Sequence, residues 1–423
     1  MVQAAASPGD PSAVAASRRQ GHLRAACTIA FLLLLTLLAT IIARSLDSVF
    51  YSPTSDDGYY LRYMTAINHD GLSVFPSLFQ AWNETPRDWL HPPPTRLVYM
   101  TASAALSLLL GTEITTLSWV SLLSHLGWTT ITWFFARRRM GDVFALALAA
   151  LCGFSPLMMG LGRVALMDTF ACMTVTLALW LFLEALEQPG VRLWRVLFAL
   201  AFLLALMTKE LSVFMAPPLI ALVLIERYVR KTPLSLPEFA AAFAVPALVA
   251  GPTFILAAGG IGPLLTTTGK VLAAPKTMEY AIQFNSGPWY RYLIDFLCLS
   301  PFPTLLGLLS VGSVVDRLRA GAWPRPQVFF LLFGAVLLAE QAPLIKNARY
   351  MVALELPLRF LALAWLFHLT AALRTRWRVL LVGAAVVTLC ALDWQSFRRD
   401  WVKKQGYDPV TYQLMIWRKM IPR

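Results

Sequence analysis

The sequence predicts an all-α polytopic membrane protein, and three observations lead to that prediction. The chain has 423 residues, of which 58% are hydrophobic and only 14% are charged, whereas soluble proteins carry about 25% charged residues. The mean hydropathy is +0.62. Apolar runs of about 20 residues, the length that crosses a bilayer, recur along the whole chain. The chain is therefore not a soluble domain with one membrane anchor.

The net charge of +13 has an ordinary explanation in a membrane protein. Lys and Arg are enriched in cytoplasmic loops, where they face anionic lipid. No stretch outside the predicted spans interleaves basic and aromatic residues, so we expect no nucleic-acid partner. The five cysteines lie in apolar segments without a CxxC motif, which indicates small core residues.

Hydropathy predicts about eleven membrane spans of roughly 20 residues each. The predicted spans are residues 25–45, 114–136, 142–160, 169–187, 193–208, 211–227, 239–258, 290–312, 327–345, 350–370 and 377–393. The apolar segment 95–110 is left out of this set. If it spanned, the basic run 137–139 would lie outside, against the positive-inside rule, so we expect an interfacial helix there.

This topology divides the chain into three parts. Residues 1–24, rich in Ala, Ser, Pro and Gly, are expected to be a disordered cytoplasmic N-terminus. Residues 25–393 form the transmembrane domain, with long outer loops at 46–113 and 259–289. Residues 394–423 form a tail on the outer side. The composition, rich in Ala, Leu and Arg, suggests a bacterial inner membrane, so that the outer side faces the periplasm.

Two adjacent carboxylates, Asp56 and Asp57, follow the first span directly. A like-charge pair at a membrane surface is unfavourable, because each charge raises the pKa of the other and opposes burial. The pair therefore indicates chemistry, and the alternative interpretation is a solvated turn before Gly58.

Cations also lie where the positive-inside rule disfavours them. Four abut the predicted outer ends of spans: Arg163, Lys209, Lys346 and Arg349. Arg349 precedes the span at 350–370, where the helix dipole repels a cation unless an anion is bound. Any one of the four can instead reach lipid phosphate, but four on one face predict a bound phosphate. Asp168 and Glu210 lie on the same face.

Five stretches occur in the order seen in a known enzyme family. They are residues 55–60 (SDDGYY) with 62–63 (RY), 91–93 (HPP), 162–168 (GRVALMD), 207–210 (MTKE) and 347–350 (NARY). Together the stretches resemble the GT-C glycosyltransferases that use polyprenyl-phosphate sugars. Within that superfamily they are most similar to the branch of protein O-mannosyltransferases and lipid A aminoarabinose transferases.

The resemblance implies a function and a set of site residues. The expected reaction is the inverting transfer of one sugar, at the extracytoplasmic membrane face, from a polyprenyl-phosphate donor to a hydroxyl of a protein, lipid or glycan. Asp56 would be the general base, with Asp57 and Asp168 as further acidic residues. The four outer cations Arg163, Lys209, Lys346 and Arg349 would bind the donor phosphate. Further substrate or loop residues would be Tyr59, Tyr60, Arg62, His91, Glu210 and Tyr350.

The cofactor is left open at this stage, since some relatives use a divalent metal and others do not. The second acidic position of the branch is commonly Glu, whereas this chain has Asp57, and the shorter side chain would alter any metal contact. Asp57, Glu84 and His91 are the candidate ligands, with a hydrogen-bonded loop histidine as the alternative. Asp168 can also be an N-cap, and Glu210 a salt partner of Lys209.

Two other functions are possible for such a sequence. A transporter or flippase of lipid-linked sugars would carry charges near the midplane and broken helices in paired positions. The distinctive charges of this chain lie instead at span ends on one side, which favours an enzyme. A non-catalytic assembly protein would give no reason for an acidic pair facing several cations.

Overall fold

The computed structural model describes residues 11–46, 49, 51, 55–86, 89, 91–405 and 408–418. Within these residues the chain is helical and contains no strand, which confirms the all-α prediction. The first ten helices are α1 (Pro11–Leu46), α2 (Asp56–Asp70), α3 (Phe75–Glu84), α4 (Leu97–Leu110), α5 (Ile114–Met140), α6 (Asp142–Gly153), α7 (Pro156–Leu161), α8 (Asp168–Glu187), α9 (Arg192–Thr208) and α10 (Ala216–Leu224). The others are α11 (Leu236–Ala257), α12 (Ile261–Thr277), α13 (Glu279–Phe284), α14 (Arg291–Leu299), α15 (Pro301–Arg319), α16 (Arg325–Gln341), α17 (Glu355–Leu369), α18 (Thr375–Phe397) and α19 (Pro409–Trp417).

Six helical stretches of the described chain are long and apolar enough to cross a membrane. They are Gln20–Leu46, Asp168–Glu187, Glu210–Val229, Leu236–Ala257, Ala348–Leu369 and Thr375–Lys403, and the bent pair α4–α5 adds a seventh if it counts as one span. The prediction of eleven spans is therefore not confirmed. Two predicted spans, 142–160 and 290–312, are each divided between two helices. The second helix begins at Pro156 in one and at Pro301 in the other, because proline lacks the N–H that a continuous helix would need at that position.

The N-terminal segment differs from the expected disorder. Residues 11–24 belong to α1, continuous with the first predicted span, while residues 1–10 lie outside the described part of the chain. Alanine is the strongest helix former, so an Ala-rich segment attached to a helix extends it.

The segment 46–113, predicted to be the first outer loop, contains the short helices α2, α3 and α4, of which α4 corresponds to the predicted interfacial helix. The 14 residues of α4 extend about 21 Å at 1.5 Å per residue, less than the roughly 30 Å of a bilayer core. The helix ends at Gly111, whose φ of 89° suits glycine, and the chain turns by 114° into α5.

Aromatic packing fixes α8, the helix that carries Asp168. Trp180 stacks on Phe135 of α5 at 6.0 Å and meets the edge of Phe330 of α16 at 5.4 Å. Since α8 is buried along most of its length, its apolar contacts hold its N-terminus in place. A cavity is lined by residues at the N-termini of α2 and α8, at the end of α9 and in the 3-10 segment Ala348–Leu354.

Candidate active site

The cavity has a volume of about 480 Å³, within the range of small-molecule sites. Its charged lining residues are the carboxylates Asp56, Asp57 and Asp168 and the cations Arg96, Lys209 and Arg349. His91, Tyr60, Asn347 and Tyr350 also line it. These residues come from segments up to 290 positions apart in the sequence.

Asp56 begins α2 and pairs with Arg349 across the cavity. The Arg349 Nη1 donates to Asp56 Oδ2 at 2.6 Å, and His91 Nδ1 lies 3.4 Å from Asp56 Oδ1. Burial raises the pKa of the Asp56 carboxyl, but Arg349 and the hydrogen bond with His91 outweigh it, so the pKa lies well below its usual range. Asp56 and Asp57 occupy the first turn of α2, where the helix dipole favours carboxylates, rather than a solvated turn.

Aromatic residues of α2 hold the His91 loop. The Tyr59 ring stacks on His91 with centroids 4.4 Å apart, and the Arg62 guanidinium lies 4.6 Å from the Tyr59 centroid. One turn later, Tyr63 Oη donates to the Pro92 carbonyl at 2.9 Å. Tyr59 and Tyr63 are four residues apart and therefore share a face of the helix. This face presents His91 to Asp56.

Arg96 is a site residue that the sequence reasoning missed. Its Nη1 donates to Tyr60 Oη, and its Nη2 lies 3.6 Å from Glu210 Oε2. Glu210 also accepts from the Thr95 hydroxyl, so its ion partner is Arg96 rather than Lys209. Arg96 directly precedes α4, and a cation at a helix N-terminus is unfavourable. The observation that indicated Arg349, a cation directly before a helix, therefore also holds for Arg96.

Lys209 and Asp168 form a second ion pair at the cavity. Lys209 Nζ donates to Asp168 Oδ1 at 2.6 Å, and both side chains are nearly inaccessible to solvent. Asp168 is the first residue of α8, with Met167 at the N-cap position, and makes no side-chain cap hydrogen bond. The ammonium also lies 5.2 Å from the ring centroid of Tyr350. Asp168 thus holds Lys209 at the cavity wall and is not an N-cap.

Two of the four predicted phosphate ligands do not line the cavity. Arg163 donates from Nη1 to the Trp401 carbonyl at 2.6 Å and from Nη2 to the Ser45 carbonyl at 2.7 Å. Lys346 Nζ donates to the carbonyls of Ala342 and Leu344, both at 2.5 Å, just beyond the end of α16.

Helix ends explain these two corrections. The last carbonyls of a helix have no partner within it, and the dipole there attracts cations. Ser45 lies in the last turn of α1, and Trp401 lies in the π-helical segment Arg398–Lys403. The sequence showed cations at span ends, but it did not show that backbone carbonyls accept hydrogen bonds from Arg163 and Lys346.

The predicted metal ligands are only partly brought together. Asp57 and His91 line the cavity, whereas Glu84 ends α3 and accepts a hydrogen bond from Gln80 at 2.8 Å. The described residues contain no group of three or more His, Cys, Asp and Glu that could hold a metal ion. The set of Asp57, Glu84 and His91 is therefore not a preformed metal centre.

An anion that enters the cavity would have to replace a carboxylate as the partner of one of the lining cations. Each lining cation already faces a carboxylate: Arg349 faces Asp56, Lys209 faces Asp168, and Arg96 faces Glu210. An anionic group that enters would compete for these cations, and the carboxylate it displaces would regain proton affinity.

Comparisons with known proteins found a matching family and similar solved structures. The family of dolichyl-phosphate-mannose-protein mannosyltransferases matches residues 91–256, a segment that includes His91, Arg96, Asp168 and Lys209. No curated protein sequence matches the chain.

Solved structures show the shared fold. ArnT from Cupriavidus metallidurans in the apo state aligns with a TM-score of 0.54 and 16% identity over 92% of this chain and 75% of that chain. The same protein bound to undecaprenyl phosphate aligns with a TM-score of 0.53 and 16% identity, over 91% and 74%. The apo oligosaccharyltransferase from Archaeoglobus fulgidus gives a TM-score of 0.61 at 13% identity, over 93% of this chain and 58% of that one. The chain is therefore similar to dolichyl-phosphate-mannose-protein mannosyltransferases over residues 91–256, and it shares the fold of ArnT and of the oligosaccharyltransferase, as its resemblance to the GT-C glycosyltransferases implied.

Proposed function

We propose that the protein transfers a single sugar from a polyprenyl-phosphate donor to a hydroxyl acceptor, with inversion at the anomeric carbon. The observation that carries the proposal is the convergence of Asp56 and Arg349, 2.6 Å apart, in a cavity that also contains the Lys209–Asp168 pair. The cavity thus combines a carboxylate base with cations for a phosphate leaving group. The acceptor hydroxyl can belong to a protein, a lipid or a glycan.

The proposed step forms one bond and breaks another. The acceptor oxygen attacks the anomeric carbon as the bond between that carbon and the phosphate oxygen breaks. Asp56 takes the acceptor's proton, and polyprenyl phosphate leaves with the bonding electron pair. Because attack and departure occur on opposite sides of the carbon, the configuration inverts.

Arg349 links donor binding to the basicity of Asp56. A donor phosphate that takes the Arg349 guanidinium removes the main interaction that holds the Asp56 pKa low. The carboxylate then becomes a better base when the donor is in place. As the phosphate gains charge during departure, Arg349 and Lys209 stabilise it, so a strong general acid is unnecessary.

The known relatives support the donor class. The Cupriavidus metallidurans ArnT has been solved with undecaprenyl phosphate bound, and its fold extends over most of this chain. The positive-inside pattern supports a cavity that faces the periplasm of a bacterial inner membrane, with the N-terminus in the cytoplasm.

One observation favours the alternative of a lipid-linked sugar flippase. Arg359 pairs with Glu355 at 2.9 Å and with Asp393 at 3.3 Å, and all three side chains are buried inside candidate spans. Buried charges within spans are typical of transport pathways, and the sequence analysis did not single them out. However, Ser300 donates to Asp393, and none of these residues lines the cavity, so the cluster is better explained as a structural network.

Product release separates the enzyme from the flippase. We would incubate the purified protein in nanodiscs with radiolabelled polyprenyl-phosphate sugars and a cell-envelope acceptor extract, and measure released polyprenyl phosphate. An enzyme releases it and loses that activity in Asp56→Asn. The matched control is Asp70→Asn, at the exposed far end of α2, which should behave as wild type. Absence of release with every donor, together with movement of intact donor across vesicles, would support the flippase.

A further inference from the structure

The C-terminal segment, predicted from the sequence only as a tail, is hydrogen-bonded to a segment that lines the cavity. Asp408 precedes α19, is buried, and accepts the Thr411 N–H through Oδ1 at 2.7 Å as the N-cap of that helix. Its second oxygen, Oδ2, accepts the backbone N–H of Ala348 at 3.0 Å. Asp408 therefore joins α19 to the start of the 3-10 segment that carries Arg349.

Arg291 of α14 extends this connection. Its Nη2 donates to Thr411 Oγ1 at 2.8 Å and lies 3.3 Å from Asp408 Oδ1. Its Nη1 donates to the carbonyls of Phe284 at 2.6 Å and Ser286 at 2.7 Å. We refer to Arg291, Asp408 and Thr411 as the C-terminal clamp.

The clamp holds two segments that line the cavity. One contains Asn285, and the other contains Asn347 and Arg349. The segments are also joined directly, since the Lys346 backbone N–H donates to the Asn285 carbonyl at 2.6 Å. Asn347 Oδ1 accepts the Arg349 N–H at 3.1 Å. The consecutive N–H groups of Ala348 and Arg349, on either side of the Ala348 α-carbon, are thus oriented by Asp408 and Asn347.

We infer that Asp408 is a positioning residue that sets the place of Arg349 in the cavity, an inference that rests on the proposed function. The Ala348 N–H is one of the donors that a helix start leaves without a partner, and a carboxylate is the strongest acceptor for it. Without Asp408 the segment 347–349 loses its connection to α19. A displacement of about 1 Å at a reacting site can reduce the rate by about 100-fold.

Hydrogen exchange tests the connection without any substrate. In the full chain in nanodiscs, Asp408→Ala should speed amide exchange of the peptide 345–352 by about tenfold, because Ala348 loses its acceptor. The matched control is Asp400→Ala, in the preceding segment Arg398–Lys403, whose partly buried carboxylate faces the exposed side chains of Arg399 and Lys404. That control should leave the peptide unchanged. Unchanged exchange in Asp408→Ala would overturn the inference, whatever the protein catalyses.

A double-mutant cycle then tests the link to Arg349. If Asp408 acts through Arg349, the losses of polyprenyl phosphate release in Asp408→Ala and Arg349→Ala are not additive, and Asp408→Asn, which keeps one acceptor oxygen, recovers part of the rate. Additive losses would overturn the positioning role. If Asp408→Ala does not fold, Asp408→Asn in the exchange experiment decides the same question. If the wild type releases no polyprenyl phosphate, the proposed function fails while the exchange result still stands.

Discussion

Replacing Asp56 with asparagine tests two roles separately. It removes the carboxylate that acts as the base, and it removes the anion that competes with phosphate for the Arg349 guanidinium. Asparagine has nearly the same shape as aspartate, but its amide cannot take the acceptor's proton. The account therefore expects sugar transfer to fall while binding of the leaving phosphate is kept or strengthened. A variant that only damaged the cavity would weaken both.

The expected loss of transfer rate and gain of phosphate affinity can both be estimated. A positioned general base contributes about 10²- to 10⁴-fold to a rate, so we expect a loss in that range. The Arg349–Asp56 contact is 2.6 Å long, and both side chains are more than four-fifths buried. If a bound phosphate recovers about 1.4 kcal/mol of the pairing free energy, its affinity rises about tenfold.

The assay measures both quantities on the same preparation. Release of polyprenyl phosphate from a radiolabelled donor gives the rate, and titration with undecaprenyl phosphate in nanodiscs gives the affinity. Asp70→Asn controls for the loss of a carboxylate on the same helix. Transfer at the wild-type rate in Asp56→Asn would refute the base assignment. A fall in phosphate affinity would refute the competition between Asp56 and the phosphate for Arg349.

Four further predictions concern the cavity and its surroundings. Arg163→Lys should lower the free energy of unfolding by about 1.5–3 kcal/mol and leave undecaprenyl phosphate affinity unchanged, because one ammonium nitrogen does not reproduce the geometry in which Nη1 and Nη2 of Arg163 each donate to a different carbonyl. Lys209→Met should weaken the affinity for undecaprenyl phosphate about tenfold. A larger loss of this affinity in Arg163→Lys than in Lys209→Met would contradict the proposed phosphate site. In Gly160→Ala the new Cβ would lie 1.9 Å from the Trp401 ring, so thermal unfolding should show a loss of about 1–3 kcal/mol; an unchanged midpoint would show that the indole moves. Finally, the depressed pKa of Asp56 stabilises the fold at pH values above the usual carboxylate pKa, near 3.8, and this contribution is lost as the pH falls below it. The wild type should therefore lose more stability than Asp56→Asn between pH 5 and pH 3, and parallel unfolding curves would contradict the ion pair.

The fold class and part of the candidate site, namely Asp56, Lys209 and Arg349, were predictable from the sequence. Hydropathy is a chain-wide signal, and an acidic pair after a span is unusual enough to mark chemistry by itself. Asp56, Lys209 and Arg349 reach the same cavity because each lies at a predicted outer end of a span. The number of spans was less predictable, since prolines divide apolar runs into shorter helices whose directions depend on packing.

The parts that failed depend on partners that local sequence does not specify. Arg163 and Lys346 carry the same signal as Arg349, but their partners are backbone carbonyls, and any residue supplies a carbonyl. Arg96 could have been predicted, because it is a cation directly before α4. Asp408 carried none, because its connection to Ala348 joins positions 60 residues apart through one backbone amide.

The location of the donor phosphate is the central claim, and an experimental structure with undecaprenyl phosphate tests it most directly. The account predicts phosphate oxygens about 2.7–2.9 Å from the guanidinium of Arg349, with Lys209 beside them and Asp56 no longer paired to Arg349. A phosphate bound at Arg163, at Lys346 or beside Lys404, with the Arg349–Asp56 pair intact, would contradict it.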